Sequence, residues 1–251
     1  ARGLDVDAPL NSFLILALEA YGQMLEWCGE PGDEGFVTAA SELREAVAER
    51  FWDAQEGVFR TCEGAEALTE LTQALAILAG IGDEPMRAAA LARMGRADSG
   101  LAKPGLSHSL YTFEALLIRR DQFGAKVLDD IENTWGRMLD AGTTTFWETL
   151  KGASDFGGAG SLCHGWSAVP VYILYHDVLG VRPLEPGFRT FAADPMADIV
   201  PAGNGRVPTP HGEISVEWER GPDGKLRCEV DAPSALGDGA GENHGRAPLL
   251  G

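Results

Sequence analysis

Apolar residues recur at spacings of three and four along most of the chain and change to strict alternation near its end. Leu10, Phe13, Leu14, Leu18, Tyr21, Met24, Leu25 and Cys28 form one wide stripe. Such a stripe belongs to an amphipathic helix that turns its apolar side to a core. Pro9 can open that helix, because a first-turn proline loses no hydrogen bond. Glu30-Pro31-Gly32-Asp33 breaks it, and Val37, Ala40, Leu43, Val47 and Phe51 line a second helix. The aromatic, acidic and glycine residues from Phe51 to Phe59 end it. A third helix carries Leu68, Leu71, Leu75 and Leu78, with Gly80 suited to its C′ position. Asp83-Glu84-Pro85 starts a fourth, which runs to about Gly95. Leu110, Phe113, Leu117 and Phe123 predict a fifth; Val127, Leu128, Ile131, Trp135, Met138 and Leu139 predict a sixth that ends near Gly142. After the glycine-rich run 155–160, Ser161 can cap a seventh helix reaching Leu179, kinked at Pro170.

After Gly180 the period becomes two. Ile214, Val216 and Trp218 alternate with polar residues, Gly221-Pro222-Asp223-Gly224 supplies a turn, and Leu226, Cys228 and Val230 alternate again. This predicts a hairpin with one buried face. The glycine-rich tail from Leu236 reads as disordered. Successive helices in antiparallel pairs can close into a toroid or stack as a solenoid. No fixed-length repeat favours a solenoid.

Composition narrows the function classes. The formal charge of −18 argues against nucleic acid and against an anionic membrane surface. No run of 18 apolar residues is present, so no membrane span is expected. Cys28, Cys62, Cys163 and Cys228 lie far apart, without metal-ligand spacing. They read as small core residues in a reducing, cytoplasmic setting, and no metal or cofactor is expected. Ala1-Arg2-Gly3 carries neither an initiator methionine nor a signal peptide, which suggests a cut chain.

The candidate chemistry centres on Gly142-Thr143-Thr144-Thr145-Phe146-Trp147-Glu148. A carboxylate beside large aromatics is partly desolvated, which moves it toward an acid/base range, and aromatic faces stack on sugar rings. The same residues would equally serve as a core plug and a capping glutamate. His164 and Trp166 follow at the start of the seventh helix, where a histidine sits neutral and can hydrogen-bond a hydroxyl, or can simply cap. His108, beside Ser107 and Ser109, reads as N-terminal capping polarity. The run 157–160 lacks the preceding strand and the lysine of a phosphate loop.

The order of these motifs is more specific than any one of them. Trp135-Gly136-Arg137-Met138-Leu139, the threonine-rich turn to Glu148, Ser161-Leu162-Cys163-His164-Gly165-Trp166, Leu179-Gly180-Val181-Arg182-Pro183, Pro186-Gly187-Phe188, Asp194-Pro195 and Thr209 to Trp218 follow one another. The series resembles the C-terminal half of bacterial α-L-rhamnosidases, glycoside hydrolase family 78, over about residues 130–232. Phe51 to Phe59 resembles the helix-ending aromatic turn of six-hairpin glycosidases.

The resemblance implies a mainly α protein, a partial (α/α)6 six-hairpin barrel over 1–182, then a small antiparallel β-sandwich-like domain over 183–235 and a tail over 236–251. It implies an inverting hydrolase of terminal α-L-rhamnosides that takes a carbohydrate substrate. Glu148 would be the general base, His164 a sugar-binding residue, and Trp147, Phe146 and Trp166 would shape the pocket. The alternatives are a six-hairpin glycosidase of other sugar specificity and a non-catalytic carbohydrate-binding α/α scaffold. Three departures matter. Cys163 stands where the family commonly carries Asn, and no segment matches the family's acidic general-acid motif. About seven helices are too few for six hairpins. The implied partner is therefore the missing N-terminal half of the barrel, and the isolated chain is expected to be inactive, poorly stable or self-associating.

Overall fold

The computed structural model describes residues 6–32, 34–64, 66–234 and 236. They fall into two compact units. One holds the described residues up to 130 together with 147–162, and the other holds 131–146 together with the described residues from 163 onward.

The first unit is built of paired helices. α1 (Ala8–Cys28) starts at Asp7, whose carboxylate accepts the Leu10 N–H at 2.7 Å, and Pro9 sits in its first turn. Gly29, at φ 71°, ends it in the left-handed conformation that glycine adopts without a Cβ clash. α2 (Glu34–Phe51) packs along α1. The aromatic turn is a short hairpin in which β1 (Trp52–Asp53) pairs with β2 (Val58–Phe59). Asp53 closes it by accepting the N–H groups of Gln55 and Glu56. Then come α3 (Glu70–Leu78), α4 (Glu84–Gly95), α5 (Ser109–Leu117) and α6 (Arg120–Asp140), which runs on into the second unit. Thr69 and Asp83 cap α3 and α4 through their side chains.

α3 is the centre of this unit, packing on α1, α4 and α5 with Ala74, Leu75 and Ala76 fully buried. Gln73 is buried beside them. It accepts the Phe59 N–H and donates to the Phe59 carbonyl, both at 2.7 Å, which satisfies two buried backbone groups and ties the hairpin to the core. Glu70, also buried, pairs with Lys103 at 3.2 Å, and Asp130 receives both Lys103 (3.5 Å) and Lys126 (2.7 Å). Burial pushes the Glu70 carboxyl above its ordinary value, and Lys103 offsets this only in part. The native state therefore binds that proton more readily than the unfolded chain. The contribution of Glu70 to stability is greatest below the ordinary carboxylate range, about pH 4.3, and is lost as pH rises through the raised native value. Glu70→Gln is expected to remove that slope from the denaturant-unfolding free energy. An unchanged slope would place its origin elsewhere.

The α1 stripe is not the buried face. Leu10, Leu14, Tyr21 and Met24 are exposed, while Ala8, Ser12, Ile15 and Leu16 are buried. α1 is apolar on several sides, so periodicity identified a helix without choosing its inward face. Small Ala8 and Ser12 admit the neighbouring elements closely, and the Ser12 hydroxyl is satisfied by the Ala8 carbonyl at 2.8 Å. The fifth helix ends at Leu117 instead of reaching Phe123, because the three-and-four spacing runs straight through the turn at Ile118–Arg119. Phe123 belongs to α6 and covers Gly95, where a Cβ would lie 2.1 Å from its ring. Leu139 is exposed, whereas Val127, Trp135 and Met138 are buried as the pattern predicts.

In the second unit Trp135 donates its indole N–H to the Ser167 carbonyl at 2.8 Å. The expected long seventh helix is instead a 3₁₀ turn (Gly165–Ser167), a short α7 (Val169–Ile173) and one π turn (Leu174–Val178) closed by Leu179 N–H to Leu174 C=O. Pro170 does not kink a helix interior. It sits in the first turn of α7, where no N–H is required. β3 (Val181–Pro183) pairs with β4 (Phe191–Ala193), and β5 (Ala202–Thr209), β6 (Gly212–Arg220) and β7 (Leu226–Asp231) make an antiparallel sheet in that order. Gly180, at φ 75°, joins the helical and β parts. A Cβ there would meet the Asp194 carbonyl oxygen at 2.1 Å.

Ile214, Val216 and Trp218 on β6 are buried, Trp218 lying over Gly203 with its N–H on the Val200 carbonyl at 2.8 Å. β7 is exposed along its whole length, so its alternation does not mark a buried face; among the described residues it is an edge strand paired only with β6. No disulfide joins the four cysteines, and Cys28, Cys163 and Cys228 are exposed, not core residues. Leu236 is buried, while the rest of the expected tail, 237–251, lies outside the described residues. Among the described residues no helix is long and apolar enough to cross a membrane.

Candidate active site

Trp147 and Glu148, both half-buried, belong to the first unit and stand on a loop that closes on itself. Glu148 donates its N–H to the Ser161 carbonyl at 2.9 Å, and the Ser161 N–H donates to Glu148 Oε2 at 3.3 Å. The same two residues thus hold backbone and carboxylate together, which fixes the side chain in one orientation. The indole of Trp147 lies against Gly152, where a Cβ would stand 3.0 Å from the ring. Gly152 is buried at φ 53°, a conformation that excludes most side chains independently.

Asp155 organises the intervening turn. Its carboxylate accepts the Thr149 hydroxyl at 2.7 Å and the Phe156 N–H at 2.9 Å, and its carbonyl accepts the N–H groups of Gly158, Ala159 and Gly160 at 3.0, 3.0 and 3.1 Å. The Thr149 hydroxyl above all, with the Phe156 N–H and Lys151 adding to it, holds the Asp155 carboxyl below the ordinary carboxylate range. Gly160 passes so close to Gly152 that a Cβ would lie 2.0 Å from the Gly152 oxygen. The glycine-rich run is therefore a folded clamp. Its glycine content alone predicts no more than irregular structure. The available signal was an aspartate at the head of a glycine run, whose carboxylate can accept a neighbouring backbone N–H, here that of Phe156, while the glycine N–H groups go to its backbone carbonyl.

Phe146, His164 and Trp166 belong to the second unit. The Phe146 carbonyl accepts the His164 N–H at 2.8 Å, and the His164 ring meets Trp166 edge-on at 5.9 Å. Phe146 and His164 are half-buried, while Trp166 is 76% exposed. His164 precedes a three-residue 3₁₀ turn without capping it, so the expected neutralising helix N-terminus is absent at that residue. Thr143 and Thr145 form a local turn, the Thr143 hydroxyl donating to the Thr145 carbonyl at 3.0 Å. His108 lies in the 3₁₀ turn before α5, exposed, with Nδ1 3.2 Å from the Ser107 hydroxyl, and makes no side-chain cap.

A family model described as the bacterial alpha-L-rhamnosidase 6 hairpin glycosidase domain matches residues 5–178, and one described as the bacterial alpha-L-rhamnosidase C-terminal domain matches 180–235. An alpha-L-rhamnosidase of Alteromonas sp. (strain LOR) is 31% identical over 97 residues, 36% of this chain and 10% of the relative. The crystal structure of the GH78 family rhamnosidase of Bacillus sp. GL1 is similar with a TM-score of 0.81 and 28% identity, over 91% of this chain and 25% of that one. A Streptomyces avermitilis alpha-L-rhamnosidase complexed with L-rhamnose shares the fold at a TM-score of 0.67 and 16% identity, over 90% of this chain and 22% of its own. The chain thus spans a quarter or less of the length of these relatives.

Proposed function

This chain belongs to the bacterial α-L-rhamnosidase six-hairpin glycosidase family, and we propose that it carries the water-activating half of an inverting α-L-rhamnosidase site. The observation that supports this most directly is the reciprocal pairing of Glu148 with Ser161 beside the clamped indole of Trp147. A general base needs its carboxylate held in one place, and the Ser161 N–H at 3.3 Å from Glu148 Oε2 supports that reading.

In the proposed reaction Glu148 takes a proton from a water molecule as the water oxygen bonds to the anomeric carbon. The glycosidic C–O bond breaks on the opposite face, and a second carboxylic acid gives its proton to the departing oxygen. The products are β-L-rhamnose and the free alcohol. On the family resemblance, the proposed role of Trp147 and Phe146 is to contact the sugar, that of His164 to hydrogen-bond a sugar hydroxyl, and that of Trp166 to offer a stacking face. The general acid is assigned to helices of the six-hairpin domain beyond the motifs matched here, in keeping with the quarter share of the Bacillus structure that this chain covers.

Proton NMR during hydrolysis of an aryl α-L-rhamnoside tests the stereochemistry. The β-anomer of rhamnose should accumulate first, and initial α-anomer would overturn inversion. A panel of aryl glycosides tests the sugar. Preference for another glycone would move the assignment to a different six-hairpin glycosidase.

A further inference from the structure

Asp155 touches both chain neighbours of the Glu148–Ser161 pair. Its carboxylate accepts the Thr149 hydroxyl at 2.7 Å, and Thr149 follows Glu148 in the chain. Its carbonyl accepts the Gly160 N–H at 3.1 Å, and Gly160 precedes Ser161. Glu148 and Ser161 are themselves joined through backbone and side chain. The contacts therefore close a ring that runs from Glu148 through Thr149, Asp155, Gly160 and Ser161 back to Glu148. All of it lies within the first unit. The proposed reaction uses neither Asp155 nor Thr149.

The links of the ring are held more than once. The Thr149 hydroxyl also accepts the Lys151 N–H at 3.3 Å, and the Thr149 carbonyl accepts the Gly152 N–H at 3.0 Å. The Asp155 N–H donates to the Gly152 carbonyl at 3.1 Å. The second carboxylate oxygen of Asp155 takes the Phe156 N–H at 2.9 Å. Phe156 stands at φ 50°, a left-handed backbone that is strained for a bulky residue, and its side chain is 62% exposed, so burial does not account for the conformation. The turn that it begins does. With its N–H held by Asp155, the chain doubles back through Gly157 and Gly158, also at positive φ, and the N–H groups of 158–160 converge on the Asp155 carbonyl. Strain of this kind persists where the surroundings over-determine the backbone.

We infer that Asp155 is a positioning residue for the base, acting through Thr149 on one side of Glu148 and through Gly160 and Ser161 on the other. The inference rests on Glu148 being the base of the proposed reaction. Asp155 transfers no proton itself; it fixes where the Glu148 carboxylate stands. An ionised carboxylate suits the task, because both of its oxygens accept at once and both bonds are charge-assisted. The Thr149 hydroxyl first, and then the Phe156 N–H, hold this carboxyl below the ordinary range, so it stays largely ionised where an ordinary carboxylate is half protonated. Asp155→Asn keeps the shape but leaves one acceptor and one donor. In the same geometry it can accept from only one of the Thr149 hydroxyl and the Phe156 N–H.

Asp155→Asn and Thr149→Val test this in a form of the protein that contains the complete six-hairpin domain. Two quantities are measured on each: the kinetics of aryl α-L-rhamnoside hydrolysis, and hydrogen–deuterium exchange at the N–H groups of Glu148 and of residues 158–161. Each variant should lower kcat by about 10- to 10²-fold, with KM within about twofold and an unchanged melting temperature. Exchange at Glu148 should quicken in both. The double variant should lose little more than the worse single one, because both break the same link. Thr149→Ser, which keeps the hydroxyl, should keep rate and protection. Unchanged exchange at Glu148 in Asp155→Asn overturns the inference, and so do additive losses in the double variant. A kcat that falls only together with the melting temperature overturns it as well, since Asp155 would then serve the fold alone. Faster exchange with kcat intact is a different failure: the ring would hold Glu148, but Glu148 would not be the base, and the proposed reaction would fall with the role given to Asp155.

Discussion

Glu148→Gln is expected to lower aryl rhamnoside hydrolysis by about 10²–10⁴-fold while leaving rhamnose binding nearly unchanged. The substitution keeps the shape and both hydrogen-bonding atoms of the side chain. The amide oxygen can still accept the Ser161 N–H that Oε2 accepts in the native loop. What it removes is the capacity to take a proton from water, so the loss falls on kcat, with KM left close to its original value. Hydrolysis is to be measured on a form of the protein that contains the complete six-hairpin domain, and binding by calorimetry with L-rhamnose. Full activity in the variant would exclude Glu148 as base. Lost binding with lost activity would mean that the loop had collapsed, and a thermal melt on the same sample separates that case.

The sequence made the helical order legible because apolar spacing survives in every long element. α1, α2, α4 and the body of α6 lie where the periodicity puts them. It failed where two faces were apolar or where spacing crossed a turn. α1 carried enough apolar residues to define two stripes, and only tertiary packing selects Ala8, Ser12, Ile15 and Leu16 as the inner one. The pattern through Phe123 fits one helix as well as two, since a tight turn at Ile118–Arg119 leaves the spacing intact. β7 alternates like a half-buried strand but, among the described residues, has no neighbour beyond it. Burial depends on what lies across from a strand, which a local window does not contain.

The candidate site was legible by residue type and by motif order, but not by mechanism of support. Glu148, Trp147 and His164 are conspicuous in the chain. Their holders are backbone groups: the Ser161 N–H and carbonyl, the Phe146 carbonyl and the Gly152 surface. Backbone groups have no signature of their own. Only the glycines that let them approach do, and a glycine-rich run reads equally as a flexible loop. Asp155 is a partial exception: its side chain fixes Thr149 and the Phe156 N–H, while its backbone carbonyl gathers the N–H groups that follow.

Gly160→Ala tests whether that clamp is part of the catalytic apparatus. A Cβ at this position would lie 2.0 Å from the Gly152 oxygen, and the obstacle is backbone, so no rotamer change relieves it. Residues 152 and 160 must separate, which carries Ser161 away from Glu148 on one side and Gly152 away from Trp147 on the other. A displacement of about 1 Å at a catalytic base costs on the order of 10²-fold in rate. The expected result is therefore a drop of about that size in kcat with a small change in melting temperature, since the displaced turn is mostly exposed. Gly136→Ala, on α6 with open space around it, is the control and should leave activity intact. If Gly160→Ala retains full activity, the clamp is dispensable and the Glu148–Ser161 pairing does not position the base. If it lowers melting temperature and rate together, the turn belongs to the folding core, and the separate positioning role falls. A lost rate in a protein that melts like the original is the outcome in which the glycine-rich loop exists to aim one carboxylate.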